Sequence, residues 1–168
     1  MISKPYNRKR SRVSPHRIGL VNAVCKGAER VEITISNDGE TVLTDFHKWD
    51  VIVEYTHITR NSQDAEAPRA DLHNSGVTRP SMRDKRTMRH FSFSRTRELS
   101  GGQWTIEEII QQGVRGKTLN REECHPGDQI MLVLRLTPGA AKGIRHLATI
   151  VTPENTCISS GFTISSRR

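Results

Sequence analysis

Three residue classes in this chain of 168 residues could do chemistry: carboxylates at close spacing, histidines and cysteines. Glu107-Glu108 is the first pair. In a strand, successive side chains point to opposite faces, so the two cannot act as an acid–base couple. Glu122-Glu123 precedes the turn Pro126-Gly127-Asp128 and reads as solubilising charge. Asp45 and Asp50 flank an aromatic cluster. A hard cation wants more oxygen ligands close together, so these two read as turn capping and solvent-face charge. Of the seven histidines, His57, His73 and His90 sit in or near polar segments and read as solvated. Cys25, Cys124 and Cys157 are far apart and show no CxxC spacing. They read as small buried or half-buried thiols, with one disulfide and a leftover thiol as the alternative. Zinc on Cys124 and His125 is disfavoured, because adjacent ligands rarely both reach one tetrahedral ion. No Gly-rich phosphate loop, HExxH, GxSxG or P-loop occurs. No catalytic, cofactor-binding or metal-ligating residue is assigned, and an enzyme is not expected.

The elements say more than the chemistry. Val31, Ile33 and Ile35 alternate with Glu32, Thr34 and Ser36, the period of a strand with one buried face. Asn37-Asp38-Gly39-Glu40 breaks that strand, and Trp49, Val51, Val53 and Tyr55 then share one face of a second. The two are expected as a central pair joined by a turn. Ile18–Val24 reads as an edge strand. His90–Ser94 resumes the alternation, and Trp104, Ile106 and Ile110 suggest a strand over Gln103–Ile110, with a helical turn at 107–112 as the alternative. Ile130, Leu132, Leu134 and Leu136 form the cleanest strand face; Ile144–Val151 and Cys157–Ile164 complete the set. Seven or eight short strands separated by turn chemistry, with no helical blocks, predict an all-β, immunoglobulin-like antiparallel β-sandwich. The Cys…Trp…Cys framework of antibody domains is absent.

Hydrophobic content of 34% and aromatic content of 5% are low for a chain of this size, which implies polar appendages. The net charge of +8 is uneven: residues 1–17 hold six Lys/Arg and no acid, and residues 60–97 hold nine against four. Residues 1–17 are therefore expected as a basic disordered tail, and 18–166 as one sandwich domain with a mobile insertion at about 60–89. No apolar run approaches the roughly 20 residues that cross a bilayer, and the basic N-terminus lacks the apolar stretch of an export signal.

The run Asn37-x-Gly39-x-Thr41-x-Leu43-x-Asp45-Phe46-x-Lys48-Trp49-Asp50-Val51-Ile52-Val53-x-Tyr55 resembles the soluble domains of archaellum-associated and flagellin-like (type IV pilin-like) proteins. The comparison is nearest to the archaellum stator components F and G. Trp104-Thr105-Ile106, Leu119-Asn120, Pro126-Gly127-Asp128, Thr152-Pro153-x-Asn155 and Phe162 follow in the same order. The resemblance covers about residues 28–58 and 103–163, and 45–55 is its most specific part. It implies a β-sandwich displayed at the cell surface, in contact with surface-layer, filament or motor protein. Members usually carry an N-terminal hydrophobic helix; this chain has a basic tail there.

The function expected is a non-enzymatic binding or structural module that acts by protein–protein contact, with exposed edge strands open to a partner strand. Arg83, Lys85, Arg86 and Arg89 are the partner-binding candidates. The alternative is a non-specific nucleic-acid binder using the tail and the insertion, since counterion release makes such patches effective. A third possibility is that the basic segments only keep a β-domain soluble. Partner identity, homo-oligomerisation and compartment are left open.

Overall fold

A computed structural model describes residues 15–60, 82–111 and 122–164. Eight strands follow in chain order: β1 (Ile18–Cys25), β2 (Arg30–Asn37), β3 (Asp50–Arg60), β4 (Met82–Phe93), β5 (Gln103–Ile110), β6 (Gln129–Arg135), β7 (Arg145–Val151) and β8 (Cys157–Thr163). A 3-10 turn at Phe46–Lys48 precedes β3. The strands lie in the order β1-β2-β6-β5-β4-β3-β7-β8. β4 and β5 are parallel and pair only at Ser92–Gln103 and Phe93–Trp104, so the array folds there into two halves. One half is β1-β2-β6-β5 and the other β4-β3-β7-β8, with β1 packed against β8 at the far ends. Lettered in chain order these are the ABED and C′CFG sheets, the immunoglobulin-like arrangement expected from the sequence.

The core is the set of positions that the period-2 pattern marks. Ile33 of β2 lies opposite Leu132 of β6, which lies opposite Ile106 of β5, and all three are buried. In the other half Val51 and Val53 pair with Ile150 and Ala148. Trp49 is 5% exposed, stacks edge-on against Phe46 at 5.0 Å and donates from Nε1 to the Thr44 carbonyl at 3.2 Å. Such a residue combines a large apolar area with a satisfied donor.

The structure corrects the strand map in three places. β2 and β3 are not a hairpin: β2 pairs with β1 and β6, and β3 with β4 and β7, so residues 38–49 cross between the sheets. β5 is a strand, not a helical turn, but its register slips between Ile106 and Glu108. The extra residue, Glu107, brings Ile109 rather than Ile110 into line with Trp104 and Ile106, opposite Ile130. β4 starts at Met82, so residues 82–89, assigned to the insertion, are strand. Arg60, the expected start of the insertion, is the last residue of β3; residues 61–81, and the tail up to residue 14, lie outside the described residues.

Asn37 pins the crossover. Its Nδ2 donates to the carbonyls of Thr41 at 2.8 Å and Cys124 at 2.9 Å, and its Oδ1 accepts from Gly39 N at 3.2 Å. The Pro15 carbonyl lies over this loop and accepts from Glu40 N at 3.0 Å and from Thr41 Oγ1 at 3.0 Å. A Cβ on Gly39 would sit 2.5 Å from that oxygen, so close backbone approach is what calls for glycine there.

Candidate interaction site

The four basic candidates lie on β4 and do not form one patch. β4 runs antiparallel to β3, with Phe91 opposite Val51, Arg89 opposite Val53, Thr87 opposite Tyr55 and Lys85 opposite His57. Residues directly opposite share a face. Lys85 and Arg89 therefore have the parity of the inward face. Arg86, opposite Thr56, has the outward parity, together with Asp84, Met88 and His90. Lys85 and Arg89 stay exposed because β5 runs beside β4 only at Ser92 and Phe93.

Two of the four are committed to partners within the chain. Arg86 Nε is ion-paired with Glu54 Oε1. Arg89 donates through Nη1 to the Thr137 carbonyl, to which Tyr55 Oη also donates at 3.4 Å. Lys85 has no ion pair among the described residues. Of Arg83 only the backbone is placed, opposite Thr59.

Beyond Glu54, β3 leaves its pairing with β7, and the His146 side chain takes over the neighbouring position. Thr56 N donates to His146 Nδ1 at 3.3 Å, while His146 Nε2 lies 2.9 Å from the Ala141 carbonyl. That pairing requires the neutral Nε2–H tautomer. Past this point β3 and β4 continue as a ribbon to the pair Arg60–Met82. His146 was not singled out from the sequence, where nothing separates it from a solvated histidine. His57, expected to be solvated, is buried on the inward face beside Tyr55, and its Nδ1 has no hydrogen-bond partner among the described residues. His90 is exposed, with Nδ1 3.0 Å from Asp50 Oδ1. His73 lies outside the described residues.

Several further titratable groups make contacts within the fold. Asp45 has φ 54 and makes no capping bond; it takes a 2.9 Å bond from Lys48 Nζ, which holds its carboxyl below the usual range. Glu107, at the bulge, lies 3.7 Å from Arg30 and 3.9 Å from Arg97. Burial pushes the Cys25 thiol up to about 11 and the Cys124 thiol up to about 12, so neither offers a thiolate at neutral pH. Cys157 is exposed and all three are free. Among the described residues no three His, Cys, Asp or Glu side chains converge as a metal site would need. A cleft of about 480 Å³ has Phe46, Phe93 and Ile106 in its lining, with Asp45 and Arg95 also present.

Among solved structures the chain is similar to the archaellum periplasmic stator protein complex FlaF and FlaG from Sulfolobus acidocaldarius. The TM-score is 0.54 at 14% identity, over 96% of this chain and 100% of that one. It is also similar to the archaellum periplasmic stator protein FlaG from the same organism, with TM-score 0.54 and 14% identity over 88% and 99% of the two chains. The likeness is one of fold. It recovers from the backbone the resemblance that residues 45–55 carry in sequence. No protein-family model matches the chain, and no curated protein does.

Proposed function

We propose that this chain is a non-enzymatic β-sandwich binding module of an archaellum- or pilus-like cell-surface appendage, acting by protein–protein contact. The observation that carries the proposal is the match of its sandwich to archaellum stator domains over 96% and 88% of this chain and 100% and 99% of theirs. The chemistry agrees: burial pushes the Cys25 and Cys124 thiols up, and Glu54 and Glu107 are held in ion pairs. Surfaces and edges, rather than a pocket, are what the molecule offers a partner. Surface-layer, filament or motor protein is the partner class.

The immobilised full chain should capture such a protein from an isolated appendage preparation, and capture should survive nuclease treatment. Recovery of nucleic acid alone, with no appendage protein, contradicts the proposal. The distribution of the candidates weighs against a nucleic-acid groove. Arg86 and Arg89 point to opposite faces and are engaged within the chain, so they do not line one track for a phosphate backbone.

A further inference from the structure

Among the described residues, β4 presents an unpaired strand edge over residues 84–90. Ser92 N donates to the Gly102 carbonyl and Ser94 N to the Trp104 carbonyl, so even-numbered residues turn their backbone groups away from β3. The β3–β4 register runs without a shift from Phe91 to Met82. With the two-residue period of a strand, Asp84, Arg86, Met88 and His90 therefore aim their N–H and C=O groups at an edge that β5 does not reach. Met88, in the middle, is 68% exposed, the most exposed large hydrophobic side chain among the described residues.

We infer that this edge accepts an acidic, extended segment of a partner protein as a ninth strand. The inference rests on the binding-module function proposed above and names the partner's chemistry. From Arg83 to Arg89 the strand carries four cations and one acid, Asp84. Cations on an edge commonly guard against unwanted pairing, and here they also select. Antiparallel pairing of two copies centred on Thr87 would set Lys85 of each against Arg89 of the other, and like charges directly opposite are destabilising. A strand with glutamates at those positions meets the opposite sign. Lys85, which has no ion pair among the described residues, can turn to it without breaking a bond within the fold. The even-numbered face offers Met88 to an apolar side chain. An acidic–apolar alternation thus fits both faces of the edge, with backbone hydrogen bonds supplying the common attraction.

The probe is a capped ten-residue peptide alternating glutamate with valine, titrated into the full chain. Binding should slow hydrogen exchange at the amides of Arg86, Met88 and His90. Met88→Pro removes one outward N–H at an edge position, where proline is tolerated, and should abolish binding, whereas Met88→Ala should keep it. Lys85→Glu should weaken binding about tenfold, and Lys142→Glu, on an exposed site away from β4, should leave it unchanged. No binding below about 1 mM overturns the inference. So does equal binding of a lysine–valine peptide, or binding that survives Met88→Pro. Equal binding of a DNA oligonucleotide that ignores Met88→Pro replaces it with general anion attraction. If Met88→Pro does not fold, the peptide N-methylated on alternate amides takes its place, and undiminished binding of both methylation registers overturns the inference. Capture of appendage protein by wild type and Met88→Pro alike removes the edge from the mechanism but leaves the binding-module function standing. Capture by neither removes that function.

Discussion

Arg89 donates through Nη1 to the backbone carbonyl of Thr137, 48 residues further along the chain. A residue that reads in sequence as part of a charged insertion is thus a tie between β4 and the segment after β6. Arg89 also passes beside Gly102, where an added Cβ would lie 3.6 Å from its Nη2. Arg89→Ala should lower stability by about 1–2 kcal/mol, the range for one hydrogen bond from a charged donor that is partly exposed. Urea unfolding of the two proteins measures the difference. A loss within error would show that the tie contributes nothing in solution.

Trp49→Ala should cost about 3–5 kcal/mol, because a buried aromatic and its packing against Phe46 are lost together. The Nε1 bond to Thr44 goes with it. Equilibrium unfolding decides; a cost below about 1 kcal/mol would place Trp49 at the surface.

Asn37→Asp should destabilise more than its near-identical shape suggests. A carboxylate cannot donate to the Thr41 and Cys124 carbonyls that Nδ2 now satisfies, and Asn37 is buried. The expected cost is about 3 kcal/mol, with Asn37→Ala costing less because it adds no buried charge. A thermal melt of Asn37→Asp matching wild type would contradict the assigned amide orientation.

The thiols should react in order of exposure. At neutral pH Cys157 should be modified by a thiol reagent first, half-buried Cys25 more slowly, and Cys124 only on unfolding. Their folded values, about 11 and about 12, lie above the ordinary value of 9.0. In that case the folded state holds its protons more tightly than the unfolded one. The stabilisation is fully present below pH 9.0 and is lost as pH rises from there through the folded values. Stability measured from pH 8 to 11 should therefore fall, and should fall less in a Cys25→Ser, Cys124→Ala variant. Identical alkaline profiles for the two proteins would show that these thiols carry none of it.

Much of the sandwich is legible in the sequence, because strands with one covered face must alternate. Ile130, Leu132 and Leu134, and Trp49, Val51, Val53 and Tyr55, are buried as their spacing requires. β4 is not legible in its first half for the same reason in reverse. Where no neighbouring strand covers it, Lys85, Thr87 and Arg89 can occupy inward-parity positions at no burial cost, and only Phe91 carries the signal. The bulge at Glu107 is hidden because a single inserted residue leaves both Ile109 and Ile110 as candidates for the core face. Pairing β2 with β3 is the shorter connection, yet the crossover is held by Asn37 reaching Cys124, 87 residues away, a contact without local trace. The candidate site was found by charge alone, and strand parity then divided its members between two faces.

The measurement that bears most directly on the proposed role is the salt dependence of two affinities of the full chain. One is for protein from an isolated appendage, the other for a DNA or RNA oligonucleotide, each compared with a variant lacking residues 1–14. Contacts through strand edges and apolar side chains are screened little, so binding to the appendage protein should persist near 0.15 M salt and survive removal of the tail. Nucleic-acid binding, if detected, should be weak, sequence-independent and steeply lost over the same range. Sequence-specific nucleic-acid binding of about nanomolar strength at that salt, with no affinity for any appendage or surface protein, would contradict the proposed function.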